Sequence, residues 1–359
     1  MKLFDVRTEN QFEDLIWLEH QPKKKNKIIL PNRPAVHLRG DFGSMSFQHF
    51  PAAEYAIWYS HYDVSEDRTF NACLDMSTIE LNVLINNNVS YTLNHYGSVE
   101  ANATQFNITY APYFESVVHF DGLQEYTTFD VHFKRSYLEK MASLYPDVLG
   151  PFVEEIDKGH IVALYPTHLY ATPLMLDSIR AILDELSHKD RDTVKVDLLV
   201  KVLFIDAISL KRRDSGGLDG INTQERRAID YITTLILSDP SHVPTIPELA
   251  RLAGMNTKKL KCLFKKLNGM SIHKFWQDFR LLRCREMLLD RQHSSLAEIA
   301  LTFGYSDLSS FRKAFKKKYH ESPSNFRKGA RKTENLMIKL CDHEPNERHT
   351  SLRNDTDNR

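Results

Sequence analysis

The sequence has 359 residues, 42% hydrophobic and 26% charged, with 47 Lys and Arg balanced by 47 Asp and Glu. That composition fits an ordinary globular protein of two or three modules, and no apolar run reaches the ~18 residues that a membrane span requires. The zero net charge hides an asymmetry: residues 241–332 hold about 20 Lys and Arg against about 7 Asp and Glu, near +13, which leaves about −13 for the remainder.

The opening stretch MKLFDVRTENQFEDLIWLEH has early acids and no apolar core, so a signal peptide is not expected. The four cysteines, Cys73, Cys262, Cys284 and Cys341, are scattered without a C-x-x-C pair. A disulfide frame or zinc site is therefore not expected, and a reducing cytoplasm fits. No cofactor, metal or membrane partner is expected.

Residues 54–134 read as β-rich. EYAIWYSHY, TIELNVLI, VSYTLNHY, QFNITYAPY and YTTFDVHF carry β-branched and aromatic residues in partial alternation. Asn86-Asn87-Asn88 and Asp121-Gly122 separate them as turns, and residues 35–50 add a strand or two with Gly40 and Gly43 as turn points. Repeated short strands at this spacing predict a sandwich or small barrel. The period then becomes helical. SYLEKMASLYPDVLGPFVEEI is interrupted by Pro146 and Pro151, and TPLMLDSIRAILDEL and TVKVDLLVKVLFIDAISL follow as stronger helices. The last is apolar round most of its circumference, which suits either an intradomain core or a dimer interface. KRRDSGGLDGI (211–221) reads as a linker, and the tail after residue 332 lacks apolar periodicity and reads as disordered.

The basic end repeats itself. TIPELARLAGMNTKKLKCLFKKLNG (245–269) parallels SLAEIALTFGYSDLSSFRKAFKKKYH (295–320): Glu248 matches Glu298, Leu249 Ile299, Ala250 Ala300 and Gly254 Gly304, each pair 50 positions apart. Each copy has the parts of a helix-turn-helix. Thr245-x-x-Glu248 and Ser295-x-x-Glu298 are capping boxes. Ala250 and Ala300 are small where two helices approach. Gly254 and Gly304 suit the left-handed residue that ends the first helix. Asn256 and Ser306 or Asp307 suit the next cap. On the second helix Leu260, Phe264 and Leu267, or Phe311 and Phe315, form an apolar face. Lys258, Lys261 and Lys265, or Arg312, Lys313, Lys316 and Lys317, form a cationic one. Between the copies, SIHKFWQDFRLLRCREMLL (271–289) reads as a helix with Ile272, Phe275, Trp276, Phe279, Leu282, Met287 and Leu288 as its apolar positions. A rigid connector would bring both basic helices to successive major grooves, about 34 Å apart.

At these residues the chain resembles the AraC/XylS family of bacterial transcription regulators, over roughly residues 222–330. The second copy carries the most specific likeness, through Ile299, Ala300, Gly304, Tyr305, Ser306, Asp307, Ser309, Phe311, Phe315, Lys316 and Lys317, and then Ser322, Pro323, Phe326 and Arg327. Two positions depart from the pattern. His320 replaces the usual glycine after the second basic helix, and Cys262 stands where the family often has a polar or basic base reader. The resemblance implies base contacts from Lys258, Lys261, Cys262, Ser309, Arg312 and Lys313, and phosphate contacts from Lys265, Lys266, Lys316, Lys317 and Arg327. Ala250, Gly254, Phe264, Ala300, Gly304, Phe311, Phe315 and Pro323 would then be structural.

The implied fold is α+β: an N-terminal β-rich cupin-like barrel (1–135) followed by helices (136–210), a linker (211–221), an all-α domain with two helix-turn-helix units (222–332) and a tail (333–359). The segment YTTFDVHFKRSYLEKMASLYP is similar to a stretch in the sensor portions of some family members. That likeness implies a small-molecule effector, with Trp58, Tyr59, Tyr62, Tyr91 and Tyr110 as candidates for pocket walls or core. Promoter DNA and RNA polymerase are the implied partners, with a homodimer as a further option and an activator as the implied role. An enzyme is disfavoured: His61, His95, His119 and His132 are isolated in sequence, and no nucleophile elbow, P-loop or Rossmann fingerprint occurs. A sequence-blind DNA-coating protein would not need the β-domain, and RNA binding lacks a sheet with stacking aromatics.

Overall fold

The computed structural model describes residues 5–8, 18–19, 30, 35–74, 77–93, 97–213, 221–289 and 295–328. The opening stretch for the most part, the middle of the 211–221 linker, the 333–359 tail, His95, Cys341 and the Cys73 side chain lie outside the described residues. In chain order the strands begin with β1 (Asp5–Thr8), β2 (Leu18–Glu19), β3 (Val36–Gly40), β4 (Gly43–Pro51), β5 (Tyr55–Val64) and β6 (Arg68–Leu74). They continue with β7 (Thr78–Asn86), β8 (Val89–Leu93), β9 (Gly97–Ala101), β10 (Gln105–Ala111), β11 (Phe114–Phe120) and β12 (Gln124–Phe133). Helices α1 (Arg135–Leu144) and α2 (Pro146–Asp157) lead to the short β13 (Val162–Ala163) and β14 (Leu169–Tyr170), and then to α3 (Pro173–Ser187) and α4 (Thr193–Arg213). The remaining helices are α5 (Thr223–Ser238), α6 (Ile246–Leu252), α7 (Thr257–Asn268), α8 (Ile272–Leu289), α9 (Leu296–Thr302) and α10 (Leu308–Tyr319). The expected β-rich region followed by helices is present.

The strands form a five-stranded sheet, ordered β1-β6-β11-β8-β9, and a nine-stranded sheet along β13-β10-β7-β12-β5-β4-β3-β2 with β14 also on β10. The predicted turns carry the chain between sheets. Asn87 takes a left-handed conformation (φ 58°) between β7 and β8, and its side-chain amide donates to the Glu125 carbonyl at 2.6 Å. The Asp121-Gly122 turn links β11 to β12. Gly43 closes the β3–β4 hairpin at φ 117°, where a Cβ would stand 2.0 Å from the Asp63 carbonyl oxygen. Leu38, Met45 and Tyr126 of one sheet meet Phe70 and Phe120 of the other in a buried cluster, with Phe120 edge-on to Tyr126 at 4.8 Å.

Alternation gives the nine-stranded sheet two unlike faces. Leu81, Val83, Phe129 and Val131 are fully buried on one face. Phe133, on that same face, packs edge-on against Phe204 of α4 at 5.0 Å and stacks on Tyr137 of α1 at 4.7 Å. The other face is polar. It turns Glu80, Asn82, Thr128, Asp130 and His132 into a cavity of about 230 Å³ between the sheets. Of the aromatic candidates, Trp58, Tyr62 and Tyr91 line this cavity, whereas Tyr59 and Tyr110 do not.

Helix α1 ends before Pro146, which starts α2; α2 runs through Pro151 rather than stopping there. Helix α4 carries the intradomain core that its all-round apolar pattern allows, and a second apolar stripe besides. Val196, Val200, Leu203, Phe204, Ala207 and Ile208 are buried, while Val194, Leu198 and Val202, spaced four apart, form an exposed apolar stripe. Among the described residues no helix is long and apolar enough to cross a membrane. The described residues within 1–233 and 245–275 form one compact unit, and those within 234–244 and 276–328 the other.

Phe204→Ala removes the ring that joins β12, α1 and α4, so chemical denaturation of the variant should show a loss of about 3–5 kcal/mol.

Candidate nucleic-acid interface

The first helix-turn-helix belongs to the larger unit. Glu248 accepts the Thr245 backbone N–H and hydroxyl, both at 2.8 Å, which closes the start of α6. The helix ends in a Schellman motif: Gly254 N–H donates to Arg251 O and Met255 N–H to Ala250 O, with Gly254 left-handed at φ 63°. Asn256 then caps α7 by accepting the Lys259 N–H at 2.8 Å. Leu260, Leu263, Phe264 and Leu267 are buried along one side of α7, and Phe264 meets Phe275 edge-on at 5.5 Å.

The second helix-turn-helix, in the smaller unit, repeats each device. Ser295 and Glu298 form the reciprocal capping box of α9. Gly304 N–H donates to Leu301 O and Tyr305 N–H to Ala300 O, with Gly304 at φ 70°. The sequence leaves Ser306 and Asp307 as alternatives for the next cap; the structure assigns Asp307, which accepts the Ser310 N–H at 2.7 Å. Hydrogen bonds from the Ser310 backbone and hydroxyl and from the Ser306 hydroxyl hold the Asp307 carboxyl below its ordinary range. Phe311 and Phe315 are fully buried. Pro323 opens a helical turn at 323–328 that Ser322 caps through Asn325 N–H, bringing Phe326 to 5.7 Å from Phe315. His320 ends α10 in the left-handed conformation, φ 61°, as a glycine would.

The two basic helices share one register. Counted from the caps Asn256 and Asp307, Lys258 corresponds to Ser309, Lys261 to Arg312, Cys262 to Lys313, Lys265 to Lys316 and Lys266 to Lys317. Lys258, Lys261, Cys262 and Lys265 follow the i, i+3, i+4, i+7 spacing of one helix face, and all four are exposed. Ser309, Arg312, Lys313 and Lys316 do the same and are equally exposed, as is Lys317. Lys266 and Arg327 are half-buried. The neighbouring Lys259 and Lys318 are engaged within the fold, Lys259 with Glu225 at 2.5 Å and Lys318 with Asp278 at 3.6 Å. Ala250 and Ala300 are buried at the helix crossings, as the repeat predicts.

Sequence reasoning missed the role of α8. Its apolar positions are legible, but nothing in the sequence marks its arginines as buried, and Arg280 is 8% exposed. Its guanidinium lies between Trp276 (4.2 Å) and Tyr305 (3.9 Å) and donates to the Gly304 carbonyl at 3.4 Å. Arg285 similarly covers Tyr319 and Phe326. These cations hold the second turn to α8, and only the Arg-aromatic composition hints at it. The thiol of Cys262 is free and exposed; burial pushes that of Cys284 up to about 12. His132 lies 3.7 Å from the Glu80 carboxylate in the cavity, a pairing that the sequence does not show. Among the described residues no group of three or more His, Cys, Asp or Glu is placed to hold a metal.

Residues 249–329 match the family model described as a helix-turn-helix domain. The HTH-type transcriptional regulator MtrA of Neisseria gonorrhoeae is 32% identical over 114 residues, covering 32% of this chain and 36% of that protein. This C-terminal region is a helix-turn-helix domain of the AraC type. The Msm operon regulatory protein of Streptococcus mutans is 29% identical over 111 residues, or 31% of this chain and 40% of that protein. The match thus spans about a third to two-fifths of these two relatives' length. The solved DNA-binding domain of AdpA in complex with a target DNA is 21% identical, covers 29% of this chain and 94% of its own, and has a TM-score of 0.28.

The two turn glycines of the AraC-type domain face different surroundings. A Cβ on Gly254 meets nothing within 4 Å, while one on Gly304 would stand 2.1 Å from the Ser241 carbonyl oxygen. Gly254→Ala should therefore cost about 1–2 kcal/mol, the left-handed penalty alone. Gly304→Ala should cost clearly more in the same denaturation experiment. Equal losses would mean that the Ser241 approach does not constrain the turn.

Proposed function

We propose that the protein is a sequence-specific DNA-binding transcriptional regulator, acting in the cytoplasm as an activator that contacts RNA polymerase. The observation that carries this reading is the shared register of two capped, anchored helices, each with an exposed cationic face. In this reading Lys258, Lys261 and Cys262 of α7, and Ser309, Arg312 and Lys313 of α10, face base edges. Lys and Arg donate to guanine O6 and N7, Ser serves several bases, and Cys262 is the weakest reader of the six. Lys265, Lys266, Lys316, Lys317 and Arg327 hold phosphates, which fix register without reading sequence. The modules run as the sequence divides them, with 1–135 as sensor, 136–210 as its helical extension, 211–221 as linker, 222–332 as reader and 333–359 as tail. No catalytic role is assigned.

The β-domain cavity is the effector site of this reading. Two observations support coupling to DNA. His168 lines the cavity, accepts or donates a hydrogen bond with the Tyr91 hydroxyl at 3.1 Å, and directly precedes β14. Recognition helix α7 in turn lies against β14 and α4. A ligand that prefers one arrangement of this contact shifts the population of DNA-competent chains. The exposed Val194–Leu198–Val202 stripe supports a homodimer through α4.

Selection of the full chain on random duplex DNA at about 150 mM salt, where non-specific contacts are weakened, tests the reading. An enriched motif of two blocks about 10 base pairs apart is the expected result. Bound DNA without any motif would replace the regulator with a structural DNA binder.

A further inference from the structure

The cavity between the sheets carries more chemistry than packing requires. Its nine-stranded wall turns the polar face inward, although buried polar groups cost stability unless they are paired. The Asp130 carboxylate accepts from the Asn82 amide at 2.5 Å and the Thr128 hydroxyl at 2.7 Å, and Glu80 lies 3.7 Å from His132. None of the described residues that line the cavity is Lys or Arg. With Glu80, Asp130 and His132 all ionised, the wall holds two negative charges and one positive.

A second feature points to a ligand independently. Ser116 of β11 lines the same cavity from the opposite sheet, is 1% exposed, and its hydroxyl has no hydrogen-bond partner. An unsatisfied buried hydroxyl is rare and calls for an explanation. The remaining walls are aromatic. Trp58 pairs with Asp130 across the β5–β12 ladder, and Tyr62 stacks on Phe120 at 5.0 Å. Ring faces next to an uncompensated carboxylate suit a cation, which gains from both.

We propose that this cavity binds a small organic amine: its ammonium is held by Asp130 and Glu80, its apolar body lies among Trp58, Tyr62 and Phe120, and a polar group on it reaches Ser116. A neutral polyol could also use carboxylates and rings. It would leave two like charges facing each other, whereas one ammonium cancels the surplus. The electrostatics agree with this arrangement. Burial, and then the charge of Glu80, push the Asp130 carboxyl up to about 7. Burial alone would lower His132, but the hydrogen bond and charge of Glu80, with Asp130, raise it. The groups facing Asp130 are Glu80 and Asn82 from β7, Thr128 and His132 from its own strand and Tyr62 and Trp58 from β5, with His49 of β4 stacked on Trp58 at 4.2 Å. Asp130 is thus partly protonated near neutral pH, and amine binding should strengthen from pH 6 to pH 8 as that proton leaves.

The proposal rests on the reading of the cavity as an effector site, and its test separates the two. Calorimetry and thermal melting of the full chain at pH 8 would compare 2-phenylethylamine, 2-phenylethanol and 3-phenylpropionate, with xylitol as the polyol. The expected result is binding of the amine, at least about tenfold weaker binding of the alcohol, and none of the acid. Asp130→Asn should weaken the amine at least about tenfold without changing the alcohol. That variant should stay folded, since it removes a like charge from beside Glu80. Equal binding of amine and alcohol, preference for the acid or xylitol, no amine binding up to about 10 mM, or an amine affinity unmoved by Asp130→Asn would each overturn the site. Operator affinity measured in the same samples reports on the effector role. Amine binding that leaves DNA affinity unchanged keeps the cation site and removes only its regulatory use.

Discussion

Phe264 and Phe315 stand eight residues past the caps of their helices, both fully buried. Fixing that one position fixes the rotation of each helix about its axis, because 3.6 residues per turn leave no freedom once the anchor is seated. The residues at the second, fifth, sixth and ninth positions past the cap, cationic except for Ser309 and Cys262, then face outward in both copies. The cap sets where the helix begins, the left-handed glycine sets the angle at which it is entered, and the apolar anchor sets which side is presented. Removing any one of these scatters the cationic face that the others organise.

The sequence made this half legible because its determinants are local. Capping boxes, turn glycines and a four-residue apolar period each act within a few residues, so Thr245-x-x-Glu248, Gly254 and the Phe311–Phe315 pair announce their geometry directly. The β-domain is less legible for the opposite reason. Strands β5, β7, β8, β10 and β12 stand out by composition, but β6 and β11 carry Arg68, Asn71 and His119 among their apolar residues and are held by partners far along the chain, while the short β9 carries Glu100. Arg280 could not be read as a buried residue, since its partners Trp276 and Tyr305 include one 25 positions away. His132 looked isolated for the same reason, as Glu80 reaches it only through the β7–β12 ladder.

The two halves handle charge differently. In the helix-turn-helix domain positive charge is exposed, solvated and available, and the cations that stabilise the fold, such as Arg280 and Lys318, are a separate set engaged by rings and carboxylates. In the β-domain negative charge is enclosed, and Asp130 is held against its solvation preference by the ladder it belongs to. An outward cationic face suits a long polyanion that arrives with its own counterions. An inward acidic face suits a ligand small enough to be surrounded.

The central claim is that the two anchored helices read separate stretches of one DNA site. It is tested most directly by repeating the duplex selection with Lys261→Ala and with Arg312→Ala, which occupy the same register position in α7 and α10. Each variant should relax the base preference in a different block of the motif, with a loss of about 1–3 kcal/mol confined to that block. A loss spread evenly over all sequences, or both variants relaxing the same block, would contradict it.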